Sequence, residues 1–177
     1  PEMVDAGIDS FKIEGRMKTA LYVATVARTY RKAIDDLFES EEKYRANIDW
    51  YKSEISKCTY RQFTTGFYFG KPDENTQIYD SNTYVNEYTY LGSVDHITAD
   101  NEIVLEQKNK FRVNDDIEIM KPDGRNITAR VISIKDDEKG TEMDSCPHPQ
   151  QIIRVKLSED DISVNDILRV EGDSKLK

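Results

Sequence analysis

The 177 residues give room for one or two domains, and 25 basic against 34 acidic residues set a formal charge of -9. That charge excludes uniform attraction to phosphate backbones and leaves nucleic acid only a local basic patch. With 37% apolar residues and ten tyrosines the chain can pack cores, so it is no disordered acidic tail.

No stretch approaches ~18 consecutive apolar residues, and Pro1 to Ile8 lack a cationic flank followed by an apolar run. Neither a membrane span nor a signal peptide is expected. Cys58 and Cys146 have no ligand spacing, which suits reduced thiols in a cytoplasmic protein. A start at Pro1, inside what reads as a helix, suggests a piece of something longer, with chemistry-bearing groups upstream.

In chain order, Pro1 to Ala6 read as the last turns of a helix stopped by Gly7. A short strand is predicted over Asp9 to Glu14, broken by Gly15. From Lys18 to Phe38 the set Ala20, Val23, Ala24, Ala27, Tyr30, Ile34 and Leu37 recurs at steps of three and four, one stripe on a helix. A second helix is predicted over Glu41 to Lys57, on Tyr44, Ile48, Tyr51 and Ile55. Strand, glycine turn and long helix form a β/α unit, which needs partner strands from elsewhere.

Residues 58–87, with Gly66, Gly70, Pro72 and seven aromatics, read as an ordered linker. Six short strands follow, over Tyr88 to Ile97, Glu102 to Gln107, Asp116 to Lys121, Ile127 to Ile134, Gln151 to Leu157 and Ile167 to Val170. Their spacing predicts a small antiparallel β-barrel over 88–177, so the fold class is α+β: a helical segment with one strand over 1–57, the linker, then the barrel. Val113-Asn-Asp and Val164-Asn-Asp form a near-repeat, a turn that feeds a strand, because Asn and Asp tolerate left-handed or side-chain-capped turns.

The densest polar group is Asp9-Ser-Phe-Lys-Ile-Glu-Gly-Arg-Met-Lys18. On a strand, Lys12 and Glu14 would share one face, with Arg16 and Lys18 at its carboxyl end, where α/β folds place ligand sites. A carboxylate beside three cations suits an anionic ligand that Arg16 could grip bidentately. Ile13-Glu-Gly-Arg16 before Met17 has the form of an engineered protease site, but the flanking pattern continues through it and reads as native. Residues 9–34 carry six Lys or Arg against Asp9 and Glu14; Arg28, Arg31 and Lys32 read as a solvated helix face. Arg61, in Arg-Gln-Phe-Thr-Thr-Gly, is a second candidate anion contact. Cys146-Pro-His148-Pro is not expected to form a dyad or a zinc site, since prolines hold it extended and two ligands are too few. His96 reads as a strand residue.

DAGIDSFKIEGRMK, the helix LYVATVARTYRKAID, the linker motif RQFTTGFYFGKP, PHPQQI and the terminal VNDILRV together resemble the C-terminal part of peptidase family U-32, the collagenase-like proteases. The resemblance implies that residues 1–57 end a TIM-barrel-like catalytic domain and that 88–177 form a barrel resembling those of translation factors. It implies relatives that hydroxylate tRNA uridine using prephenate, others that modify ribosomal RNA, and others described as peptidases. Lys12, Glu14, Gly15, Arg16 and Lys18, with Arg61, Thr64, Thr65 and Gly66, would line the barrel mouth or dock the small domain. The family's signature cysteines, tied in some members to an iron-sulfur cluster, belong upstream; neither Cys58 nor Cys146 matches them, so no cofactor is expected in this part. The expected partners are the missing N-terminal catalytic domain and a tRNA or other macromolecule, and no membrane. Taken alone this part is expected to be inactive, with its β-barrel positioning the substrate; an accessory role in proteolysis and a ligand-free structural cap are the alternatives.

Overall fold

The computed structural model describes residues 1–58, 65–71 and 88–172. Helix α1, Glu2–Asp5, is a single turn, and Gly7 turns the chain away from it at φ +75°. The strand expected over Asp9 to Glu14 does not form: residues 8–15 are neither helix nor strand. A strand is held by ladder bonds to neighbours, and among the described residues no strand pairs with this segment.

Helix α2 spans Ala20–Glu39, and Thr19 caps it by accepting from the Tyr22 amide at 3.3 Å. Ser40 ends α2 and caps the next helix, accepting from the Lys43 amide at 3.1 Å. The single helix expected over Glu41 to Lys57 is two, α3 (Glu41–Ala46) and α4 (Ile48–Ser56). They part at Asn47, whose side-chain amide donates to Asp36 Oδ2 at 3.0 Å. Asp36 is buried on α2 and also accepts from Tyr51 at 2.7 Å and Lys32 at 3.0 Å, so one carboxylate ties the three helices together.

The rest is antiparallel sheet: β1 (Tyr88–Ile97), β2 (Ile103–Glu106), β3 (Asp116–Met120), β4 (Asn126–Asp136), β5 (Glu142–Met143), β6 (Ile152–Leu157) and β7 (Ile167–Glu171). Six lie within a residue or two of their predicted bounds; two-residue β5 is too short for a sequence period. The order is β3-β7-β1-β2-β6-β4-β5, and β3 also pairs with β4, so the pairings of six strands run in a circuit. Alternation buries Ile117, Ile119, Val131, Val155 and Leu168 in one core with Leu91, Leu105 and Phe111, while Glu118 faces the other way.

The two Val-Asn-Asp turns are geometric copies. Asn114 and Asn165 have φ of 73° and 72°, and Asp115 and Asp166 each accept at 2.8 Å from the amide three residues back, Arg112 and Ser163. Gly92 serves a β1 bulge at φ +155°; a Cβ there would stand 2.5 Å from Leu105 and 2.9 Å from the Glu106 carbonyl.

Candidate functional site

Residues 1–14 run beside α2 and enclose with it a groove of about 670 Å³. Its floor is apolar, from Val26, Tyr30, Ile34 and Leu37 on α2 and Ile8 and Phe11 opposite, and Lys12, Glu14 and Tyr68 also line it. Lys12 and Glu14 are exposed and form an ion pair at 3.7 Å; the Arg16 amide donates to Glu14 Oε1 at 3.3 Å. Lys18 lies outside the groove, its ammonium 5.2 Å from the Tyr22 ring centroid. The structure thus gathers Lys12 and Glu14 on one rim and leaves Arg16 and Lys18 beside it. Arg61 and Thr64 fall outside the described residues; Thr65 and Gly66 precede three exposed aromatics, Phe67 to Phe69.

Most of the apolar stripe predicted on α2 looks into this groove or into solvent: Val23 and Tyr30 are exposed and Ile34 and Leu37 half-buried, while Ala24 packs against the sheet contact. The face of α2 buried against the sheet is instead Leu21, Thr25, Arg28 and Thr29. Arg28, expected on a solvated face, is 7% exposed. Its Nη1 donates to the carbonyl of Lys121 at 2.9 Å, to Asn126 Oδ1 at 3.0 Å and to the Arg125 carbonyl at 3.3 Å, gripping the β3–β4 turn. Arg31 keeps the expected exposed role, paired with Asp35, and Lys32 reaches Asp36.

Arg28 Nη2 lies 2.5 Å from Glu54 Oε1 on α4, and the same oxygen accepts from Arg169 Nη2 on β7. Glu54 Oε2 accepts from Asn126 at 2.8 Å and has Lys57 at 3.4 Å. Arg169 Nε donates to Glu118 Oε1 at 2.6 Å, and its guanidinium lies 5.0 Å from the Tyr88 ring centroid. Burial alone would raise the pKa of Glu54, but the two guanidiniums outweigh it and hold the carboxyl below the ordinary 4.5. Sequence reading missed this cluster. Its only trace is a charged residue inside each of two apolar strands, Glu118 in Ile-Glu-Ile and Arg169 in Leu-Arg-Val, which the register places opposite one another.

The outer cations of the sheet are matched locally: Arg130 by Asp116 at 2.8 Å, Arg125 by Asp123 at 2.7 Å, Lys135 by Glu102 at 2.8 Å and Arg154 by Asp137 at 2.8 Å. These pairs form no bare cationic stripe along a strand. Cys146 is a core residue whose thiol donates to the Phe111 carbonyl at 3.3 Å, while His148 is exposed. Burial pushes the thiols of Cys146 and Cys58 up to about 11, and they lie in different parts of the fold. Two buried, protonated thiols so placed do not fit the ligand set of an iron-sulfur cluster. His96 is on β1 as expected, exposed and 2.9 Å from Asp95.

Among the described residues no helix is long and apolar enough to cross a membrane. The sequence models of peptidase family U32 match residues 1–78, and of the peptidase family U32 C-terminal domain residues 86–169. The tRNA hydroxylation protein P1 of Bacillus subtilis is 38% identical over 158 residues, 89% of this chain and 37% of that protein. A collagenase of Porphyromonas gingivalis is 34% identical over 92 residues, 51% of this chain and 25% of that protein. The crystal structure of the C-terminal domain of a Geobacillus thermoleovorans U32 peptidase aligns over 46% of this chain and 99% of that one, at 26% identity and a TM-score of 0.41.

Proposed function

The chain belongs to peptidase family U32, and from that premise we propose that it is the C-terminal part of a prephenate-dependent tRNA uridine hydroxylase-like protein. In this reading the β domain positions tRNA or another macromolecular substrate over a reaction centre in an upstream catalytic domain, within the cytoplasm. The observation that carries it is the buried contact of Arg28, Glu54 and Arg169, which holds the β domain against the same helix that floors the groove. The similarity to a tRNA hydroxylation protein supplies the chemistry.

Lys12, Glu14, Arg16 and Lys18, with Arg61, serve as the charged contacts to an anionic substrate at the mouth of that domain. The circuit of strand pairings supports a small barrel of the translation-factor kind. That barrel works by placement, because local carboxylates already engage its outer cations. Any iron-sulfur cluster of the parent belongs to the upstream domain.

Deleting the gene for the full-length protein is expected to abolish hydroxylation of wobble uridine, read by mass spectrometry of digested tRNA. The full gene restores it, and a version ending before Tyr88 does not. Restoration by the shortened version would overturn the positioning role. The similarity to a collagenase supports a second reading, an accessory role in proteolysis. Purified full-length protein that cleaves neither denatured collagen nor peptides would remove it.

A further inference from the structure

We propose that the cluster around Glu54 is a charge-gated latch: when Glu54 is neutralised, the β domain swings off α2 and α4 as a folded unit. The latch lies wholly within this chain and does not depend on which reaction the parent carries out.

Two observations carry it. First, the β core and the contact are separate packing units. Among the described residues the core cluster, from Leu91 to Leu168, draws on no helical residue, whereas the contact has the small cluster of Leu21, Met120 and Ile167, with Ala24 and Tyr90 against it, and Trp50 and Lys32 beside Gly124. Releasing the helices therefore leaves the β core packed. Second, the rest of the contact is largely polar: Arg28 also holds carbonyls of the β3–β4 turn, but the charges that meet there centre on one carboxylate. Glu54, 1% exposed, faces Arg28 from α2, Lys57 just past α4, Asn126 from β4 and Arg169 from β7, with Glu118 of β3 behind Arg169. The rings of Tyr88 and Trp50 lie over Arg169 and Arg28. Among the described groups three cations meet two carboxylates. Neutralising Glu54 leaves the two guanidiniums buried with Glu118 alone, a state relieved by letting water in. The guanidiniums hold the Glu54 carboxyl below its ordinary value, so the latch is intact above about pH 4.5 and is lost as pH falls through the lower folded value.

The test uses the full 177-residue chain carrying Lys52→Cys on α4 and Lys139→Cys beyond β4, both exposed, for donor and acceptor dyes; the native thiols are buried. Energy transfer reports docking, and hydrogen exchange of the Ile119, Val131 and Leu168 amides reports the β core. Wild type is expected to lose transfer on acidification while those amides stay protected. Glu54→Gln should show low transfer already at pH 7, with the core still protected. Replacing the cluster by Arg28→Met, Glu54→Leu and Arg169→Met together should keep transfer high at the pH where wild type opens. Loss of transfer and of protection in one transition would overturn the proposal. So would a Glu54→Gln chain that behaves as wild type, or a triple variant that opens at the wild-type pH.

Discussion

Arg169 and Glu54, 115 positions apart, meet through the Arg169 Nη2 donor and the Glu54 Oε1 acceptor, with side chains 0% and 1% exposed. Neither element buries its charge alone: β7 carries the guanidinium on the sheet's outer face, and α4 brings the carboxylate onto it. The pair therefore records a tertiary arrangement, the helices seated on β3 and β7.

Breaking the pair from one side should cost more than removing it. Arg169→Met leaves buried Glu54 and half-buried Glu118 with fewer partners, and the chain's unfolding free energy is expected to fall by about 3–5 kcal/mol in urea titrations. Adding Arg28→Met and Glu54→Leu should recover most of that loss, because apolar groups of similar volume need no counter-charge. A triple variant as unstable as the single one would show that the cluster is held by its shape rather than by its charges.

Gly92→Ala tests the β1 bulge. The substitution demands a left-handed φ of +155° from an L side chain and places its methyl against Leu105 and the Glu106 carbonyl. Backbone strain alone costs about 1–3 kcal/mol, and the clash adds to it. Thermal unfolding followed at the β-sheet signal should shift down by several degrees, whereas Gly140→Ala, in an open turn with no atom within 4 Å of the added methyl, should shift less.

How much of this was legible in the sequence depends on whether partners lay within the segment. Strands β1 to β4, β6 and β7 were readable because Ile117 and Ile119 alternate with Glu118, and because the two Val-Asn-Asp turns carry their own capping carboxylates. The strand expected at Asp9 to Glu14 does not form, since a strand is held only by neighbours and among the described residues none pairs with this segment. Helix α2 misled for a related reason. The apolar stripe rule assumes that apolar means core, but the face against the sheet is Leu21 with Thr25, Arg28 and Thr29, and the hydroxyls and guanidinium of those three find their partners in Thr25 O, Met120 and the β3–β4 turn. No period in residues 20–39 encodes acceptors some 95 positions away. Of the candidate site, the spacing set Lys12 beside Glu14 on a strand that does not form; their ion pair at the rim of a groove floored by α2 was not legible.

The two thiols give a chemical check on burial. Both cysteines are held as thiols by burial, with values of about 11. Thiol reagents at pH 8 should leave the native chain unmodified over an hour and modify both sites in denaturant. Rapid reaction of Cys58 alone in the native chain would place the end of α4 in solvent.

The exposed cations separate a binding role from a structural cap. Lys12 is exposed and meets Glu14 in a long, water-screened pair, so Lys12→Ala in the full-length protein should change stability by less than about 0.5 kcal/mol. Arg16→Ala and Arg61→Ala test the same proposed role. If these residues grip an anionic substrate, losing one charge-assisted contact should lower kcat/KM by about tenfold or more with the melting temperature held. Tenfold is about 1.4 kcal/mol, just below the ~1.5–3 kcal/mol range of such bonds, so it is the least loss expected. Because the contact forms with substrate, the loss should fall mainly on KM, and Lys at position 16 should restore it only in part, since an ammonium cannot reproduce the guanidinium's bidentate grip. Unchanged kinetics in all three variants, with loss of the β domain only lowering the melting temperature, would make this region a cap.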